Sequence, residues 1–133
     1  MLALRLDDRT GVATYLQIVQ QVKQALRLGV LTPGDQLPTV KDVATQLAIN
    51  PNTVLKAYRE LERDGVVVPK QGVGTFVRDE LAPPIDLRKH AALRRDLQRW
   101  LTAARRAGLD DDSVDALWND TFRGGSWDAE DIA

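Results

Sequence analysis

LPTVKDVATQLAINPNTVLKAYRELERDGVVVPKQGVGTFV, residues 37–77, is the stretch whose reading decides the fold. Thr39-Val40-Lys41-Asp42 has the form of a capping box, with Asp in place of the usual Glu or Gln, so a helix is predicted to start at Thr39. Val40, Val43, Ala44 and Leu47 then recur at helical spacing and form its buried stripe. The chain turns through Ala48-Ile49-Asn50. Asn50 is a good N-cap, and Pro51 suits the first helical position, where a missing N–H costs nothing. On this second helix Val54, Ala57, Tyr58 and Leu61 fall within about a third of a turn at ~100° per residue. Asn52, Lys56, Arg59 and Arg63 fall on the opposite side. Gly65 stops the helix. Val66-Val67-Val68 and Thr75-Phe76-Val77 are β-rich and are joined by Lys70-Gln71-Gly72-Val73-Gly74, which reads as a hairpin loop. Helix, tight turn, helix and hairpin in this order make a winged helix-turn-helix, a unit that lays one helix in a DNA groove.

Upstream, residues 2–6 alternate apolar with other residues, as either a short strand or an ordered arm would. Thr14-Tyr15-Leu16-Gln17 matches a second capping box, and Tyr15, Ile18, Val19, Val22 and Leu26 continue it as an amphipathic helix that ends at Gly29. Leu31-Thr32-Pro33-Gly34-Asp35 is a turn by composition. Downstream, Ala82-Pro83-Pro84 marks a boundary. Two helical patterns follow. One spans about 87–107 and ends at Gly108, with Leu93, Leu97, Trp100, Leu101 and Ala104 on one stripe. The other begins near Asp111 or Asp112, with Val114, Leu117, Trp118 and Phe122 in register. It stops at Gly124-Gly125-Ser126, and the last residues read as frayed. The domain reading is therefore 1–80 for the winged unit and 81–133 for a two-helix region. Two helices of this size cannot enclose a core alone. Leu93, Leu97, Trp100, Leu101, Leu117, Trp118 and Phe122 need either the winged unit of the same chain or the same helices of a second copy; a second copy, closing a small bundle about a two-fold axis, is the expected partner.

Composition narrows the function. At 133 residues and 44% hydrophobic the chain can bury one core, and it has no apolar run of about 18 residues to span a membrane. The start MLALRLDDRT lacks the pattern of a secretory signal, so a cytoplasmic location is expected. With no cysteine and one histidine, His90, disulfides, zinc fingers and His-rich metal sites drop out, and no cofactor is expected. His90 reads as a surface or helix-start residue. No nucleophile–base constellation is visible, so an enzyme is not expected. The net charge of -1 does not advertise nucleic-acid binding, but its distribution is polarised. Residues 41–78 hold six Lys or Arg against four acids, and residues 110–133 hold eight acids against Arg123.

Each candidate has a plainer reading beside the functional one. The stripe Asn52, Lys56, Arg59, Arg63 is either a solvated helix face or a DNA-contacting one; the turn, Pro51 and the hairpin favour contact. The N-terminal end of a recognition helix does most of the reading, which places Asn50, Asn52, Thr53 and Lys56 ahead of Arg59 and Arg63. Thr53 either bonds a phosphate or caps the helix. Lys70, Gln71, Gly72 and Gly74 form either an ordinary hairpin tip or a wing whose glycines permit close approach to the DNA backbone or minor groove. Asp110, Asp111, Asp112 and Asp115 are either a metal or acid–base cluster or carboxylates favoured at a helix start; the latter is expected. Trp100 and Trp118 either line a pocket or pack a dimer.

Four ordered blocks resemble the GntR family of bacterial transcriptional regulators over about residues 12–78. They are Gly29-Val30-Leu31-x-Pro33-Gly34-Asp35-x-Leu37-Pro38-Thr39, then Asn52-Thr53-Val54 through Ala57-Tyr58, then Leu61-Glu62-x-x-Gly65, then Gly74-Thr75-Phe76-Val77. The short two-helix C-terminus looks like the YtrA subfamily; Asn50-Pro51-Asn52-Thr53-Val54 with Lys56-Ala57-Tyr58 looks like that subfamily and like the aminotransferase-fused branch, of which the two-helix C-terminus favours the first. The resemblance implies a homodimer, a palindromic double-stranded DNA operator and repression of nearby genes. Many members carry Arg where this chain has Lys41, and Lys lacks the bidentate fork, so phosphate anchoring is the role expected there. The C-terminal region either only dimerises or also takes a small-molecule effector. The rival to a DNA-binding regulator is a winged-helix protein-interaction module without DNA.

Overall fold

In the computed structural model, residues 2–81 and 85–125 are described. The chain divides into two compact units, Met1–Lys89 and His90–Ala133. The first unit holds α1 (Thr14–Arg27), α2 (Val40–Leu47), α3 (Pro51–Arg63), β1 (Val67–Lys70) and β2 (Gly74–Val77). The second holds α4 (Ala91–Arg106) and α5 (Asp111–Phe122). The architecture is mostly α with one antiparallel hairpin, as the sequence predicts.

α3 is the central helix of the first unit and packs on α1, α2 and β1. Its buried residues are Val54, Ala57, Tyr58 and Leu61, the four that the periodicity selects. They meet Ile18 and Val22 of α1, Val43 of α2 and the strand residues Val67 and Val77 in one cluster. Val40 and Leu47 of the predicted α2 stripe are only partly buried at its edge. The hairpin pairs Val67 with Val77 and Lys70 with Gly74. A third stretch joins it: Leu37 N–H donates to Thr75 O at 2.8 Å, and Val77 N–H to Asp35 O at 2.8 Å. The segment after Pro33-Gly34 thus satisfies the outer edge of β2 and ties the wing to the chain that enters α2.

Two predicted helix starts move. α1 is not capped by Thr14: Ala13 is the N-cap residue and makes no side-chain cap bond. The Gln17 side chain is engaged elsewhere, donating to Asp7 O at 2.9 Å and Val12 O at 3.0 Å and accepting from Asp7 N at 2.8 Å. This answers the strand-or-arm question for residues 2–6. They are an arm, with Leu4 buried and Leu2 and Leu6 against the core, held by Gln17 and by Gln21, whose side chain exchanges hydrogen bonds with the Arg5 backbone. α4 begins at Ala91, not near 87. The Asp86 carboxylate accepts from Arg88 N at 2.9 Å and bends 87–90 into turns, while Leu87 N–H is drawn to Leu28 O at 3.2 Å. Gly29 permits this approach. Its φ is +76°, and a Cβ there would lie 2.8 Å from Ile85 O. The predicted boundary at 82–84 and the frayed end at 126–133 lie outside the described residues.

Tyr58 shows how the core fixes the geometry of α3. Its ring is 6% exposed and its hydroxyl donates to Pro38 O at 2.5 Å, tying α3 to the entry of α2. Burial, and then the charge of Asp42, raise the phenol well above its ordinary pKa of 10.0. A raised folded-state value means that its stabilisation is full below pH ~10 and lost as pH rises beyond it, because the unfolded chain ionises first. Tyr58→Phe should therefore lower stability near pH 7 by about 1 kcal/mol and flatten the fall between pH 9 and 11. Urea unfolding across that range checks this; an unchanged alkaline slope would show that another group carries it.

Candidate nucleic-acid interface

The turn between α2 and α3 sets where α3 points. Ala48 closes α2 in the left-handed conformation, at φ 55°. Asn50 Oδ1 then accepts from Asn52 N at 2.8 Å, and Thr53 N–H donates to Asn50 O at 3.0 Å, with Pro51 at the first helical position. The Asn50 oxygen is thus spent on aiming the helix. Thr39 caps α2 in the same way, accepting from Asp42 N at 3.0 Å.

With Val54, Ala57, Tyr58 and Leu61 turned inward, Asn52, Lys56, Arg59 and Arg63 are exposed and Thr53 is half-buried. They are not equivalent. Lys56 Nζ rests 4.0 Å from the centroid of the Tyr15 ring on α1. An exposed cation–π contact holds a lysine by only ~0.5–1 kcal/mol, so a phosphate or base edge can draw it away. Arg59 has no ion pair among the described residues. Arg63 is paired with Glu60 at 2.6 Å. Lys41 is exposed in the first turn of α2.

The wing is built in a comparable way. Gln71 and Gly72 are exposed at its tip, and Lys70 Nζ lies 4.5 Å from the centroid of the Phe76 ring. Gln36 Nε2 donates to Val73 O at 3.1 Å. Gly74, at φ +146°, makes room for this: a Cβ there would sit 2.5 Å from Gln36 Nε2. Gln36 and Tyr15 are positioning residues that the sequence reading missed. Periodicity places Tyr15 on the helix stripe alone, and nothing local marks Gln36, whose partner is 37 residues away.

The acidic run beyond α4 serves helix starts and ion pairs. Asp110 accepts from Ser113 N at 2.8 Å, and hydrogen bonding from the Ser113 side chain and then its backbone holds the Asp110 carboxyl below the usual range. Asp111 lies 3.6 Å from Arg105. Among the described residues no group of three or more His, Cys, Asp or Glu side chains could hold a metal ion. His90 is the exposed N-cap residue of α4 and makes no side-chain cap bond. On the second unit Leu93 is 65% exposed and Phe122 74%, Leu97, Leu117 and Trp118 are exposed, and Trp100 and Leu101 are half-buried. Trp118 and Phe122 stack on each other at 6.1 Å.

Residues 14–77, the span from α1 to the end of the wing, match the family model for bacterial regulatory proteins of the gntR family. The chain is also 36% identical over 107 residues to the HTH-type transcriptional repressor YtrA of Bacillus subtilis, covering 80% of this chain and 82% of that one. The chain belongs to the GntR family. It is a DNA-binding transcriptional regulator of YtrA type, not an enzyme. Among solved structures, the GntR-family transcription factor YtrA from Sulfolobus acidocaldarius is 31% identical with a TM-score of 0.55, covering 74% of this chain and 97% of that one. A transcriptional regulator from Oenococcus oeni is 32% identical with a TM-score of 0.52, covering 92% and 99%. Both alignments reach beyond the gntR-matched span. Among the described residues no helix of this GntR chain is long and apolar enough to cross a membrane.

Proposed function

We propose that this regulator binds a palindromic operator as a homodimer and represses the genes beside it. α3 enters the major groove by its N-terminal end, and the wing rests on the adjacent backbone. The observation that carries this reading is the capped start of α3, which turns Asn52 and Lys56 outward while Tyr58 and Leu61 are locked in the core. Lys41, Thr53 and Lys70 are phosphate anchors around that reading helix, Arg59 extends it, and Gln71, Gly72 and Gly74 bring the wing backbone close. The apolar stripe of α4 and α5 holds two copies together. A small-molecule effector would act through the same unit by changing how the two heads are spaced. Footprinting on the gene's own upstream region should show two-fold symmetric protection with half-site centres ~34 Å or a multiple apart. A single asymmetric footprint would count against it.

Lys56→Ala and Lys41→Ala should differ in kind. Lys56 lies one turn into α3, where side chains reach base edges. Its loss should cost ~1–3 kcal/mol and relax specificity at one operator position. Lys41 lies on the preceding helix, which crosses the backbone, so its loss should weaken all sequences alike and lower the salt slope by ~1. Affinity for the operator and its single-base variants across a salt series separates the two. Identical, sequence-independent losses would make Lys56 another phosphate anchor.

A further inference from the structure

The DNA-reading head is only weakly basic. Residues 41–78 hold six Lys or Arg against four acids, in a chain of net charge -1. A denser patch of positive charge lies on one helix of the second unit, whose remaining residues are acidic on balance. α4 carries Arg94, Arg95, Arg99, Arg105 and Arg106 against a single acid, Asp96, and has no lysine. At ~100° per residue, Arg95, Arg99 and Arg106 fall within about 40° of one another. They lie opposite the stripe formed by Leu93, Leu97, Trp100, Leu101 and Ala104. Arg95, Arg99 and Arg106 line one shallow surface together with Gln98 and Thr102. All three arginines are exposed. Arg99 meets Asp96 at 3.0 Å, with both side chains exposed. Arg95 and Arg106 have no ion pair among the described residues.

We propose that this arginine face of α4 is a second DNA-contacting surface, which grips phosphates flanking the half-site that α3 reads. The proposal rests on the operator-binding reading above. Charge complementarity selects the occupant. Arg95 to Arg106 spans ~16 Å of helix at 1.5 Å per residue, and duplex DNA presents a charge every ~1.7 Å of its axis. Guanidinium forks match phosphate oxygens bidentately, and Gln98 and Thr102 add neutral hydrogen-bonding groups between them. The face lies opposite the apolar stripe, so a partner that covers the stripe leaves the arginines outside. The acidic stretch 110–131 of a second copy is the competing occupant, and anionic lipid is another.

The test compares the intact chain with its R95Q/R106Q variant on two duplexes, one trimmed to the footprinted core and one extended by about 15 base pairs on each side. The wild type should bind the long duplex more tightly. The variant should lose on the order of tenfold on it, with the salt slope lowered by ~2 per protomer, and little on the core. Preference for the operator over a scrambled core should be unchanged. Equal binding of both proteins to the long duplex overturns the proposal while operator preference stands. A wild type without operator preference overturns the operator reading instead, and the arginine face is then judged on the scrambled long duplex. A shift of the variant to monomer in sedimentation would assign the arginines to the second copy. Loss of binding to phosphatidylserine vesicles with unchanged DNA affinity would assign them to a membrane. Either result overturns the proposal.

Discussion

A chain carrying Leu93→Glu and Phe122→Glu should sediment as a monomer and lose 10²-fold or more in operator affinity, with its head still folded. These are the two most exposed members of the apolar stripe, at 65% and 74%. Replacing them disturbs little within one chain. In a two-fold dimer each appears twice, so four side chains lose their burial. Full burial of Leu or Phe is worth ~1.5–3 kcal/mol, which puts the loss at roughly 6–12 kcal/mol as an upper bound, and four carboxylates would enter the interface besides. That exceeds what a small helical interface can spare. The effect on DNA follows from linkage. Two tethered heads bind two half-sites with an avidity of 10²–10⁴ over one head, and the monomer forfeits it. A head freed of its partner should still recognise one half-site weakly, which separates lost dimerisation from lost folding. Persistent dimers of the double variant would place the interface on another surface, and a wild type monomeric at high concentration would remove the dimer altogether.

The first unit was legible because its signals are local and mutually consistent. Asn50-Pro51 marks the start of α3, and a stripe at one spacing names Val54, Ala57, Tyr58 and Leu61, all of which are buried. The errors lie where a side chain reaches across the chain. Gln17 had the spacing of a capping box, but its amide serves the arm at Asp7, ten residues away. Asp86 bends the chain before α4, although the apolar period alone extends that helix to 87. Gln36 under the wing and Tyr15 under Lys56 were not legible as supports, because neither relation has a sequence period. For the candidate site, the sequence separated the outward residues of α3 from the inward ones. It ranked Lys56 above Arg63 by place along the helix, but the Tyr15 contact of Lys56 and the Glu60 pair of Arg63 were not legible in it.

Leu61→Ala should destabilise the head by ~2–5 kcal/mol. Leu61 is 0% exposed in the last turn of α3, where the helix hands over to β1. α3 touches α1, α2 and β1, so the space left by the missing side chain is bounded on several sides and cannot collapse without moving an element. Leu47, only partly buried at the edge of the same cluster, is the control, and its Ala variant should lose clearly less. For a domain of this size the Leu61 change corresponds to a midpoint lowered by roughly 10–30 °C. Thermal unfolding of both variants, followed by circular dichroism, makes the comparison. DNA binding should fall only as the folded fraction falls, with operator specificity retained, since Leu61 presents nothing to solvent. A loss below about 1 kcal/mol would mean that α3 is not the element around which the head is packed. The orientation of Asn52 and Lys56, which depends on that packing, would then lose its physical basis.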